Sequence, residues 1–129
     1  NAHASLWTDL GHALAGASGL PALTGIGQLT ASSQLTIELT NAVPASTCQL
    51  IAGLSQMDVP FKGGVLVPNF QSPGLMVPLF TNAQGRLILN APWPAGLPAG
   101  LSVYLQYWLA DAAGPAGLAA SNAVRGTTP

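Results

Sequence analysis

The chain has 129 residues, of which 49% are hydrophobic and only 5% charged, with three Lys or Arg against four Asp or Glu and a formal net charge of −1. Three scattered cations cannot neutralise a run of phosphates, so nucleic-acid binding is excluded, and so is docking on an anionic membrane surface. Globular chains usually carry about 25% charge; this one is hydrophobic enough to fold as a single domain, under a near-neutral surface that resists association weakly.

The chain begins at Asn1 rather than Met, which we read as the mark of a processed chain or a fragment whose export signal is gone. Residues 1–27 read as an N-terminal arm. Within it, Ser5 to Gly19 offers Leu6, Leu10 and Leu14 at helical spacing, while Gly11 and Gly16 weaken a helix, so a short helix and an extended arm fit equally well.

Residues 28–129 read as a β-domain. Fifteen Gly and eleven Pro punctuate the chain and forbid long helices. Gln28-Leu29-Thr30 is expected to open the sheet. Gln34 to Thr40 alternates cleanly, with Leu35, Ile37 and Leu39 on one face. Further strands are predicted over Thr47 to Leu54, Gly64 to Val67, Leu75 to Thr81, Arg86 to Asn90, Leu101 to Ala110 and Leu118 to Arg125. Pro78 cannot donate to a ladder, which places its strand at a sheet edge. Asn82-Ala83-Gln84-Gly85 reads as a hairpin turn, and Ala91 to Gly100, with three prolines, as a semi-rigid loop. The expected fold is all-β: an antiparallel β-sandwich, Ig-like or jelly-roll-like, of about seven or eight short strands. No apolar run approaches the roughly 20 residues of a membrane-spanning helix.

The sequence lacks the equipment of an enzyme. Its carboxylates, Asp9, Glu38, Asp58 and Asp111, fall in different segments, whereas acid–base work needs two of them, or one and a His, held together. His3 and His12 both lie in the N-terminal region, and no nucleophile elbow accompanies them. Asp9 and His12 could meet across one helical turn as a surface contact. No metal-ligand spacing or phosphate loop is present, so neither metal nor cofactor is expected. The single Cys48 rules out an internal disulfide and reads as a buried, inert thiol. Lys62, Glu38 and Asn122 supply the residue types of an internal Lys–Asn cross-link. The simpler reading of Lys62 is a turn lysine. Asp111 and Arg125 flank the turn 112–117 and are expected to pair across a hairpin.

The most informative stretch is Leu101 to Ala110. Leu101, Val103, Leu105, Tyr107 and Leu109 fall on one face, and Tyr104, Gln106 and Trp108 on the other. A sandwich buries one face of each sheet, so the second face is expected to show an aromatic platform, extended by Trp7 or Trp93. Such a platform suits packing against another copy of the chain. It also suits stacking on sugar rings, with Gln106 bonding hydroxyls. The bland alternative is cover by the chain's own loops.

Trp7-Thr8-Asp9-Leu10-Gly11, Gly19-Leu20-Pro21-Ala22-Leu23-Thr24-Gly25, Pro60-Phe61-Lys62-Gly63-Gly64, Trp93-Pro94-Ala95-Gly96-Leu97-Pro98, Gln106-Tyr107-Trp108, Asp111 and Ala120-Ser121-Asn122-Ala123 stand in this order along the chain. Together they resemble a domain found near the C-terminus of many secreted proteins of environmental bacteria, notably planctomycetes. The resemblance implies a secreted β-domain and no particular chemistry. With the low charge, it leads to the expectation of a non-enzymatic, extracellular structural subunit that forms a homo-oligomer or polymer such as a filament, tube or cell-surface layer. The alternative is a carbohydrate-binding or adhesion module.

Overall fold

A computed structural model describes residues 6–71 and 74–129. Among them there is no helix. Eleven strands follow in chain order: β1 (Trp7–Gly11), β2 (Ala22–Ile26), β3 (Gln34–Thr40), β4 (Thr47–Gly53), β5 (Gln56–Phe61), β6 (Gly64–Pro68), β7 (Gly74–Phe80), β8 (Leu87–Pro92), β9 (Ser102–Ala110), β10 (Leu118–Ala120) and β11 (Ala123–Thr127). They form three antiparallel sheets. The largest runs β1-β11-β9-β4-β7, with β10 also paired to β9; the second runs β2-β3-β8; the third is the hairpin β5-β6.

Period-2 alternation explains how these layers hold together. Leu23, Ile37 and Leu39 from the three-stranded sheet share a core with Cys48, Leu50, Leu105, Tyr107, Leu109 and Val124 from the six-stranded sheet. A second, smaller core gathers Ile51, Leu66, Trp108 and Ala120, with Leu14, Met57, Val59 and Leu118 around it, between the six-stranded sheet and the β5-β6 hairpin. Strand β9 therefore lies between two layers, and residues 105–109 are buried without alternation. Burial pushes the Cys48 thiol up to about 11. Burial, and then the neighbouring Cys48, push the Tyr107 phenol far upward as well; its hydroxyl is buried with no hydrogen-bond partner among the described residues.

Several expectations stand corrected. The strand count is eleven rather than seven or eight. The N-terminal stretch is not helical over residues 6–19, since β1 pairs with β11, and Leu14 bridges Ala120; residues 1–5 lie outside the described residues. Backbone pairing to the C-terminal strand outweighs the weak helical spacing of three leucines broken by Gly11 and Gly16. Gln28-Leu29-Thr30 is not a strand: Leu29 has φ 59°, and its side chain is buried. The Asn82–Gly85 turn joins β7 to β8, which lie in different sheets, so it is a crossing between layers and not a hairpin. The last predicted strand divides at Ser121 and Asn122. Ala120 pairs with Trp108 but Val124 pairs with Leu105, so one extra residue bulges out. The Ser121 hydroxyl fills the gap by accepting from the Tyr107 N–H at 2.9 Å. Pro78 does lie on an edge strand, because β7 ends its sheet.

Candidate interaction surface

The aromatic strand does not present a platform. Gln106 is fully buried, and all its hydrogen-bonding capacity is engaged. Its side-chain oxygen accepts from the Val67 N–H and the Trp108 indole N–H, both at 3.1 Å, and its amide donates to Val65 at 3.2 Å and Ser121 at 3.1 Å. Gln106 thus clasps β6 onto β9. Trp108 is 5% exposed and meets the edge of Phe61 at a ring-centroid distance of 5.1 Å and an angle of 80°. Tyr104 is half-buried between Gly53 and Arg125 in the sheet. Trp93 is buried, with its backbone bonded to Ser32 and Ser33. Trp7 is half-buried on β1, its ring against Gly25 and Gly126. Gln106 and Trp108 do meet, but beneath the β5-β6 hairpin, which covers that part of the outer face of β9, so the five residues form no exposed platform. The sequence hides that hairpin: Pro60 breaks the alternation, and the register slips between Gln56 and Val59, where Asp58 has φ 51°.

The charged residues are dispersed as well. Asp111 does not pair with Arg125. Its carboxylate is buried and accepts from the Ala17 and Ala113 N–H groups, both at 2.9 Å, so backbone donors take the place of a cation. Arg125 reaches Thr8 at 3.5 Å. The one ion pair among the described residues joins Arg86 to Glu38. Glu38 is therefore engaged, the Asn122 amide is bonded to Asp9 and Leu23, and Lys62 lies over the Phe61 ring, so the three residue types of a cross-link are not brought together. Asp9 is held by the Gly11 N–H and Asn122 rather than by His12; His3 lies outside the described residues. No three His, Cys, Asp or Glu among the described residues cluster as a metal site would require.

What the structure does expose is apolar, and it concentrates around β7. Leu75, Met76 and Phe80 on this edge strand are 51%, 46% and 68% exposed. Antiparallel register sets Phe80 opposite Thr47, Pro78 opposite Gln49 and Met76 opposite Ile51. That row and the hairpin enclose a groove of ≈480 Å³, whose walls include Gln49, Phe61, Phe70, Phe80 and Trp108. On the other face of β7 a second hollow of ≈470 Å³ opens between the sheets, walled by Leu35, Leu54, Leu75, Trp93 and Leu105. No Asp, Glu, Lys, Arg or His lines either one. Sequence reasoning missed this surface because Met76 and Phe80 look like core residues until β7 is known to be uncovered on one face.

Comparison with protein-family models, curated proteins and solved structures finds no match.

Proposed function

We propose that this chain is a non-enzymatic structural subunit that associates with copies of itself through the β7 edge and the apolar surface beside it. The sheets facing each other across the larger core read as a β-sandwich carrying an extra hairpin layer. The observation that carries the proposal is the concentration of exposed Leu75, Met76 and Phe80 on one edge strand. Monomeric proteins cover or charge such edges, whereas this one meets solvent with uncharged grooves on both faces of the strand. A chain with only 5% charged residues has little repulsion to hold copies apart. The same scarcity of Lys and Glu, with the Gly- and Pro-rich β character, supports a secreted protein of a filament, tube or cell-surface layer. A sugar platform at Gln106 and Trp108 has lost its support, since both side chains are covered.

Sedimentation velocity over a wide concentration range tests the reading. The average mass should climb well above that of one chain as concentration rises. It should hold or grow with added salt, because apolar burial strengthens while ionic contacts are screened. Met76→Lys, on the exposed edge, should shift the distribution to single chains with the fold intact. A wild-type protein that stays a single species at every concentration refutes the proposal.

A further inference from the structure

The larger core is filled unevenly along its length. Strand β4 turns Cys48, Leu50 and Ala52 inward, so a bare methyl group stands at its last inward position. Its neighbours in register, Leu75 on β7 and Leu105 on β9, do not close over it, nor does Leu35 from the facing sheet. Sheets packed face to face lie about 10 Å apart, and interior side chains normally fill that gap. Here it stays open as the hollow of ≈470 Å³, bordered by the exposed Leu54 and Leu75.

One polar group marks this hollow. Trp93 forms part of its wall and is 7% exposed. Its backbone fixes it in place, donating to the Ser33 carbonyl at 2.8 Å and accepting from the Ser32 N–H at 3.0 Å. Its indole N–H has no acceptor among the described residues. The indoles of Trp7 and Trp108, by contrast, donate to Gly27 and Gln106. Among the described residues the Tyr107 hydroxyl is the one side-chain polar atom both sealed off and unbonded. The unbonded Trp93 N–H therefore keeps access to open space, and the hollow is the space its side chain borders. A buried indole normally finds a partner within the fold; this one is free to bond a molecule that enters.

We propose that the hollow binds an uncharged acyl ester, with the hydrocarbon chain between the sheets and the carbonyl accepting from the Trp93 indole. Walls that offer apolar contact on both sides and one side-chain donor match a ligand with one chain and one acceptor. A fatty-acid carboxylate would lie between the sheets with no cation to answer it. A strand or loop of another protein would bury a row of backbone N–H and C=O groups against a single donor. Since a dry cavity of about 150 Å³ holds one benzene ring, the hollow has room for a chain of about ten carbons. The inference goes beyond self-association and does not rest on it.

Equilibrium dialysis of methyl decanoate against the dilute chain is the test. Wild type should take up the ester, and decanoate should bind at least about tenfold more weakly. Trp93→Phe keeps a ring and removes the donor. Its ester affinity should fall about fivefold, the worth of one hydrogen bond, while its binding of p-xylene, which has no acceptor, stays unchanged. Ala52→Leu fills the hollow and should abolish uptake without loss of stability to denaturant, since it occupies a void instead of crowding a packed core. Val103→Phe closes the same space from β9 if that variant fails to fold. The proposal is overturned by a wild type that takes up no ester, by undiminished uptake in the filled variant, or by an ester affinity that Trp93→Phe leaves untouched. None of these outcomes bears on self-association, which sedimentation reads without ligand.

Discussion

The two sides of this molecule, where sheet edges lie next to each other, are finished in opposite ways. On one side β2 touches both β1 and β11, and the side is stitched shut. The Trp7 ring lies against Gly25 and Gly126, where a Cβ would come within 2.3 Å and 2.9 Å of it, so both positions must be bare for the ring to fit. Its indole N–H donates to Gly27 at 3.2 Å. Asn122 then bonds both backbone groups of Leu23 on β2, accepting its N–H at 2.7 Å and donating to its carbonyl at 3.1 Å. On the other side β7 and β8 are joined by the turn 81–86, and Leu75, Met76, Phe80 and Ile88 meet solvent. A chain able to close one edge so thoroughly has left the other uncovered, which is why the uncovered one is where a partner should be sought.

The sharpest way to break this contrast is to remove one large ring from each side. Trp7→Ala should cost about 3 kcal/mol, at the low end for deleting a packed aromatic because the ring is half-buried. Phe80→Ala removes a ring that is 68% exposed and should change the stability of the dilute, unassociated chain by less than about 0.5 kcal/mol. Chemical denaturation of both variants at low protein concentration provides the measurement. Comparable losses would mean that the β7 side is as much a part of the core as the Trp7 side.

Much of this was legible in the sequence. Strand β3 follows its predicted limits, and β4, β6, β7 and β9 fall within a residue of theirs. In each, alternation or a bounded apolar run survives because the strand has a neighbour on both edges or a strong apolar face. Pro78 announced its edge position through its missing N–H. The rest was hidden for physical reasons. Strands β1 and β2 are short, glycine-bearing and half-exposed; β1 takes its ladder from β11, more than a hundred residues away, and β2 pairs with the nearby β3 but shows too little alternation to be read as a strand. The β5-β6 hairpin is masked by Pro60 and a register slip. Missing it reversed the reading of Gln106 and Trp108, whose alternation was read correctly while the layer above them was not. Asn122 resembles any turn asparagine until Leu23 is seen beside it.

Asn122 sets the next test. Asn122→Ala strands the N–H and carbonyl of the buried Leu23, while the exposed Asp9 carboxylate, which the amide also meets at 3.1 Å, keeps the Gly11 N–H. The expected loss is about 2 kcal/mol, the scale of leaving buried polar groups unmade. Asn122→Asp should not rescue it. The carboxylate keeps an acceptor for the Leu23 N–H but cannot donate to its carbonyl, and it sets a second negative charge against Asp9. Thermal unfolding of both variants should therefore show two similar decreases. A wild-type-like Asn122→Asp would mean that the edge of β2 is held by packing alone.

A loss smaller than that of Asn122→Ala is expected where intuition would look first, at the Arg86–Glu38 ion pair that lies beside the turn on the open side. Both partners are partly in water, with side chains 48% and 27% exposed, so Coulomb attraction is screened and offset by the entropy of fixing two long side chains. The turn itself does not depend on the guanidinium. Asn82 accepts from the Arg86 backbone N–H and donates its own N–H to the Arg86 carbonyl, each at 2.9 Å, and both bonds survive truncation. Arg86→Ala should then cost less than about 1 kcal/mol, and the difference from wild type should fade as salt rises to about 0.5 M. A loss exceeding that of Asn122→Ala, undiminished by salt, would place the energy of the fold in its few charges. The opposite ranking, a neutral amide outweighing an ion pair, is what a protein held together by backbone bonding and apolar contact requires.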